Sequence, residues 1–141
     1  MRLKPALLFM LTLLAAPAGA YPRAATDPVT GLWMNPYRSV AVQNMMCGNA
    51  LCGRVVWASS EAKADARESG VSELIGLDLL EDYRPQARGS WKGTVLVPDL
   101  GHRFSSTIET IGPDRLKISG CILHGLVCKS QVWTRIGVLP Q

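Results

Sequence analysis

Four cysteines stand in two close pairs, Cys47 with Cys52 and Cys121 with Cys128, and three kinds of thiol chemistry compete for them. Zinc would take them as thiolates, but Cys-x4-Cys and Cys-x6-Cys depart from the spacing usual in structural zinc sites. A dithiol redox centre would need Cys-x-x-Cys, which the chain lacks. Two structural disulfides are the remaining option. His102 and His124 are the only histidines. Both fall in segments that read as loops near Asp99 and Tyr37, where they could bind a metal or exchange protons. Solvated loop residues are the simpler reading. Glu81 and Asp82 are adjacent, so a strand would send them to opposite faces. No serine occupies a Gly-x-Ser-x-Gly elbow, and no glycine-rich phosphate loop is present. These absences point away from an enzyme, and no metal or cofactor is expected.

The compartment decides the thiol question. Arg2 and Lys4 precede an apolar run from Pro5 to Ala16 and the small-residue site Ala18-Gly19-Ala20, the pattern of a secretory signal peptide over residues 1–20, cleaved before Tyr21. The run is too short to span a bilayer, which takes roughly 20 residues, so no stable membrane anchor is expected after cleavage. Residues 21–141 are then one domain, periplasmic or secreted, where thiols oxidise. Removing Arg2 and Lys4 leaves 13 basic against 11 acidic residues, a formal charge of +2 instead of +4. The basic residues alternate with acidic ones, as in Glu61 to Glu68, so a nucleic-acid stripe is absent.

Positioning the cysteines falls to short β-branched and aromatic runs broken at close intervals by turn residues, the mark of an all-β sandwich or barrel. Strands are expected near Gly31 to Met34, Ser39 to Met46, Leu51 to Trp57, Ile75 to Asp82, Ser90 to Val97, Arg103 to Ile111, Arg115 to Cys121 and Cys128 to Ile136. Asn35 to Arg38, Cys47 to Ala50, Pro98 to Gly101 and Gly112 to Asp114 carry turn chemistry. The segment near 59–72 reads instead as one short helix or lid, capped by Ser59 or Ser60.

Alternation tests the pairing. With Cys47 opposite Cys52, Val42 faces Trp57, Asn44 faces Val55 and Met46 faces Gly53, which gathers the apolar residues on one face. With Cys121 opposite Cys128, Leu116 meets Trp133 and Ile118 meets Gln131. Both disulfides then lie on the outer face. An up-and-down meander puts the two cysteine turns at opposite ends of the barrel, too far apart to bridge, so pairing is expected to be local.

Three blocks, Thr30 to Trp33, Cys47 to Trp57 and Gly120 to Arg135, resemble the bacterial exported family known as domain of unknown function 2147. The family's usual Gly/Asp/Pro-rich stretch is missing between Ala58 and Leu77. Gly31-Leu32-Trp33 with Arg135 is also similar to the lipocalins, a resemblance that implies a small antiparallel barrel of about eight strands. It further implies that Arg135 packs over Trp33 at the narrow end. Trp33, Trp133 and Arg135 are accordingly the expected structural residues of the base.

The loops at Asn35 to Arg38, Ala58 to Leu74, Pro98 to His102 and Ile122 to Val127 would surround the opposite, open end. Val42, Trp57, Val97, Phe104, Ser106, Ile118 and Gln131 are the expected cavity residues, with Asn44 also facing inward. Eight strands leave room for packed side chains alone or for one small ligand. The expected function is binding of a small amphipathic or apolar molecule. The alternative is an envelope structural or protein-interaction module with a filled barrel.

Overall fold

Eight antiparallel strands follow one another around a closed barrel in a computed structural model that describes residues 27–141. The signal peptide expected over 1–20 and its cleavage point lie outside the described residues. The strands are β1 (Gly31–Met34), β2 (Val40–Cys47), β3 (Ala50–Ala58), β4 (Asp78–Pro85), β5 (Ser90–Val97), β6 (His102–Thr110), β7 (Arg115–Ile122) and β8 (Val127–Arg135). Each pairs with its sequence neighbour, and β8 returns to β1. Helix α1 (Ser60–Glu68) stands between β3 and β4. Ser59 caps it, its hydroxyl accepting from the Ala62 N–H at 3.1 Å, as the Ser-Ser-Glu start predicts.

The second cysteine hairpin forms as expected, with Cys121 opposite Cys128, Leu116 opposite Trp133 and Ile118 opposite Gln131. The first does not. Its turn is the two residues Gly48-Asn49, with Gly48 at φ +70°, a conformation glycine enters at little cost and one that suits a two-residue hairpin. The tighter turn slides the strands by two residues, so Cys47 opposes Ala50, Val42 opposes Val55 and Asn44 opposes Gly53. A slip of two preserves the face of every side chain, because the strand repeat is two. The Cys47–Cys52 bridge is therefore diagonal and still outward, with Cα atoms 5.9 Å apart; those of Cys121 and Cys128 are 4.0 Å apart.

A bulge between Ala41 and Val42 then undoes the expected placement of Trp57. Val56 is left without a partner, Trp57 pairs with Ala41 and Ala58 with Val40, which moves the indole to the face opposite Val40. Strand β4 departs as well, starting three residues later than expected, at Asp78 instead of Ile75, and ending three later, at Pro85 instead of Asp82. The Val55 N–H donates to the Leu77 carbonyl, and the Gly76 N–H to that of Val55, which binds 75–77 as a loop edge. Its ladder also shifts between Glu81 and Arg84 around Asp82, at φ +51°.

Non-reducing peptide mapping should find Cys47 linked to Cys52 and Cys121 to Cys128. A Cys47–Cys121 or Cys47–Cys128 peptide would be incompatible with this topology. Reduction should lower stability by roughly 2 to 2.5 kcal/mol per small loop in the chain-entropy account, and the folded barrel should persist on its remaining core.

Candidate functional site

The narrow end is built around one turn and one arginine. Residues Asp27 to Thr30 form a tight turn, closed by the Thr30 N–H donating to the Asp27 carbonyl at 3.0 Å. The turn aims three successive carbonyls at the barrel base. Arg135 takes two of them, through Nη2 to Pro28 at 2.6 Å and Nη1 to Thr30 at 2.7 Å, and its Nε donates to the Pro113 carbonyl at 3.1 Å. The Val29 carbonyl accepts from Trp33 Nε1 at 3.0 Å and from Asn44 Nδ2 at 3.1 Å. The guanidinium carbon lies 4.3 Å from the centre of the Trp33 ring, within cation–π range. Gly31 is needed for this approach, since a Cβ there would stand 2.6 Å from Arg135 Nη1.

Above the base is a packed layer. Trp33, Val42, Leu51, Val55, Leu80, Tyr83, Ile108 and Leu116 are all fully buried. The Tyr83 hydroxyl is hydrogen-bonded to Ser106, itself buried. Asn44 Oδ1 is buried with no partner among the described residues and faces Gly53.

Burial is the main cause that pushes the Tyr83 phenol up to about 12, with the Ser106 hydrogen bond acting in the opposite sense. A raised phenol pKa means that the folded state holds a proton the unfolded chain releases near 10. Stability is therefore full below pH 10 and falls as pH rises toward 12, by about 2 to 3 kcal/mol. Tyr83→Phe should remove that alkaline loss, and should cost about 1 to 2 kcal/mol at neutral pH because Ser106 Oγ is left unpaired. Urea unfolding of both proteins at pH 8 and pH 11.5 measures the difference.

The wide end holds a cavity of about 800 Å³. All four expected mouth loops reach it, through Asn35 and Tyr37, Leu74, Pro98 to Leu100, and Ile122 with Val127. Of the expected cavity residues, Val97, Phe104, Ile118 and Gln131 line it. Val42 and Ser106 lie in the packed layer instead, and Trp57 is turned away by the bulge. Trp133, expected only as a base residue, lines the cavity too, with its Nε1 donating to Gln131 Oε1 at 2.9 Å. His102 and His124 are both exposed and neither lines the cavity. His102 and Phe104 form an edge-to-face aromatic pair, with ring centres 6.4 Å apart. No group of three or more histidine, cysteine or acidic side chains could hold a metal among the described residues.

Sequence reasoning placed the 59–72 segment at the mouth as a lid but named none of its residues as lining; Glu61, Ala62 and Asp65 of α1 line the cavity. A serine hydroxyl ties the end of this helix to the neighbouring loop, Ser69 Oγ donating to the Asp99 carbonyl at 2.6 Å. It also missed Lys129, although the alternation Lys129, Gln131, Trp133, Arg135 along β8 already puts it on the inner face.

A closed eight-stranded meander with an arginine-plugged base and an open far end is a lipocalin-like barrel. The family described as an uncharacterized protein conserved in bacteria, domain of unknown function 2147, matches residues 31–135, and the chain belongs to that family. Among solved structures it is similar to a protein of the human pathogen Helicobacter pylori described as belonging to the lipocalin family. That likeness has 13% identity and a TM-score of 0.60, over 79% of this chain and 85% of the other. No curated protein matches the sequence.

Proposed function

We propose that this protein is an exported carrier that binds a small amphipathic or apolar molecule in the cavity beneath α1. The cavity carries the reading. Its volume of about 800 Å³ lies inside the range of roughly 300 to 1,000 Å³ common for small-molecule sites. Val40, Leu74, Leu79, Val95, Phe104 and Ile118 give it an apolar lining. Its polar side chains come from Asn35, Tyr37, Ser39 and Asp99, from Glu61 and Asp65 on α1, and from Lys129 and Gln131 on β8, beside the apolar lining, a mixture that suits one apolar chain and one polar end. Export is supported by the signal-like segment at 1–20 and by the two disulfides, which persist in oxidising compartments. The periplasm or the medium is the location these favour.

Displacement of an environment-sensitive apolar dye tests the reading directly. Wild type should bind such a dye, and Phe104→Ala should weaken binding by about five- to tenfold through lost contact area, with the β spectrum unchanged. Trp57→Ala should leave the affinity within about twofold, because that indole lies outside the cavity. Wild type that bound no dye, and carried no small molecule in native mass spectrometry after isolation from its own envelope, would favour the filled-barrel interaction module.

A further inference from the structure

Resting on that carrier reading, we propose that the ligand is a single-chain amphiphile with a carboxylate head, and that Lys129 and Gln131 are the residues that hold the head. Both line the cavity from β8. Lys129 has no ion pair among the described residues. The Gln131 amide is oriented by its neighbour: its oxygen accepts from Trp133 Nε1 at 2.9 Å, and its NH₂ group makes no hydrogen bond among the described residues. Two donors two residues apart on one strand face therefore meet the cavity without an acceptor of their own, the arrangement an anion completes.

The wall beside them has room. Lys129 pairs with Gly120 and Gln131 with Ile118, and Gly120 also lines the cavity. Gly120 adds no side chain to this stretch of wall, and Val95, Phe104 and Ile118 supply apolar surface in the same cavity. Glu61 and Asp65 on α1, and Asp99 in the next loop, line the lid side of the same cavity. These carboxylates repel an anion from the lid and leave the β8 wall as its place, which sets the direction in which the chain lies.

Binding of laurate, 1-dodecanol and dodecylammonium to the full chain, at submicellar concentration and with dye displacement as the readout, tests the assignment. Wild type should bind laurate at least roughly tenfold more tightly than the alcohol, the scale of a charge-assisted contact. The advantage should shrink in 0.5 M salt. Lys129→Ala should erase the preference and leave the alcohol within about twofold of wild type. Gln131→Glu keeps an acceptor for Trp133 but replaces the free donor with a carboxylate; it should weaken laurate severalfold and strengthen dodecylammonium. Laurate binding no better than the alcohol, or dodecylammonium binding best to wild type, would overturn the head assignment while leaving a carrier. Failure of all three to bind would overturn the carrier reading and this one with it.

Discussion

Trp33→Ala is expected to be among the most damaging single changes in the barrel, costing about 3 to 5 kcal/mol in urea unfolding. The indole is fully buried, so truncation opens a cavity in a layer bounded by the sheet on every side. It also deprives the Val29 carbonyl of one of its two donors and takes away the ring beneath the Arg135 guanidinium. Phenylalanine at the same position should recover most of the contact area but not the indole hydrogen bond. Equal losses for the two variants would show that the hydrogen bond, and not the ring, dominates.

Arg135→Ala should cost about 2 to 4 kcal/mol, because three backbone carbonyls lose a charged donor and the ring loses its cover. The ion pair to Asp114, at 3.7 Å with that carboxylate mostly exposed, should add little. Lysine should restore only part of the loss, since an ammonium group cannot present the flat fork that reaches Pro28, Thr30 and Pro113 together. A double-mutant cycle with Trp33→Ala should give a coupling of about 0.5 to 3 kcal/mol, as expected for contacting residues. A neutral Arg135→Ala would mean that the base stays shut without its plug.

Much of this was legible in the residues, and the reason is the period of the strand. Turn chemistry located four of the hairpins, between β1 and β2, β2 and β3, β5 and β6, and β6 and β7, and alternation put Asn44, Ser106, Ile118 and Gln131 on the inner face even where the first hairpin was paired two residues out of register. Trp33 and Arg135 were legible through a resemblance, and the structure adds why Gly31 precedes the pair. What escaped was each place where the ladder breaks its own rhythm. The bulge that leaves Val56 unpaired has no composition to betray it, and it alone moves Trp57 from the cavity to the outer face. Tertiary bonds from Val55 to the 75–77 segment displaced β4, and a helix cap can be read from Ser59 whereas the surface that α1 covers cannot. Lys129 was missed for a different reason: a lone lysine on a strand reads as solvent-facing unless its parity is followed through to Arg135.

The seam between β1 and β8 consists of only two residue pairs, Trp33 with Arg135 and Met34 with Thr134, and its strongest ties join residues 105 and 107 positions apart. Every other strand contact in the barrel is made between sequence neighbours and can form as soon as each hairpin exists. Closure is thus the slow, long-range event of assembly, because the loop it closes is nearly the whole domain. Until β8 arrives, β1 and β7 are open edges able to pair with other chains, and the unfilled base has no clasp. The hazard for this protein is one of timing: a nascent chain halted before Arg135 is a curled ribbon, and the residue that shuts the barrel also marks the moment at which it ceases to be sticky.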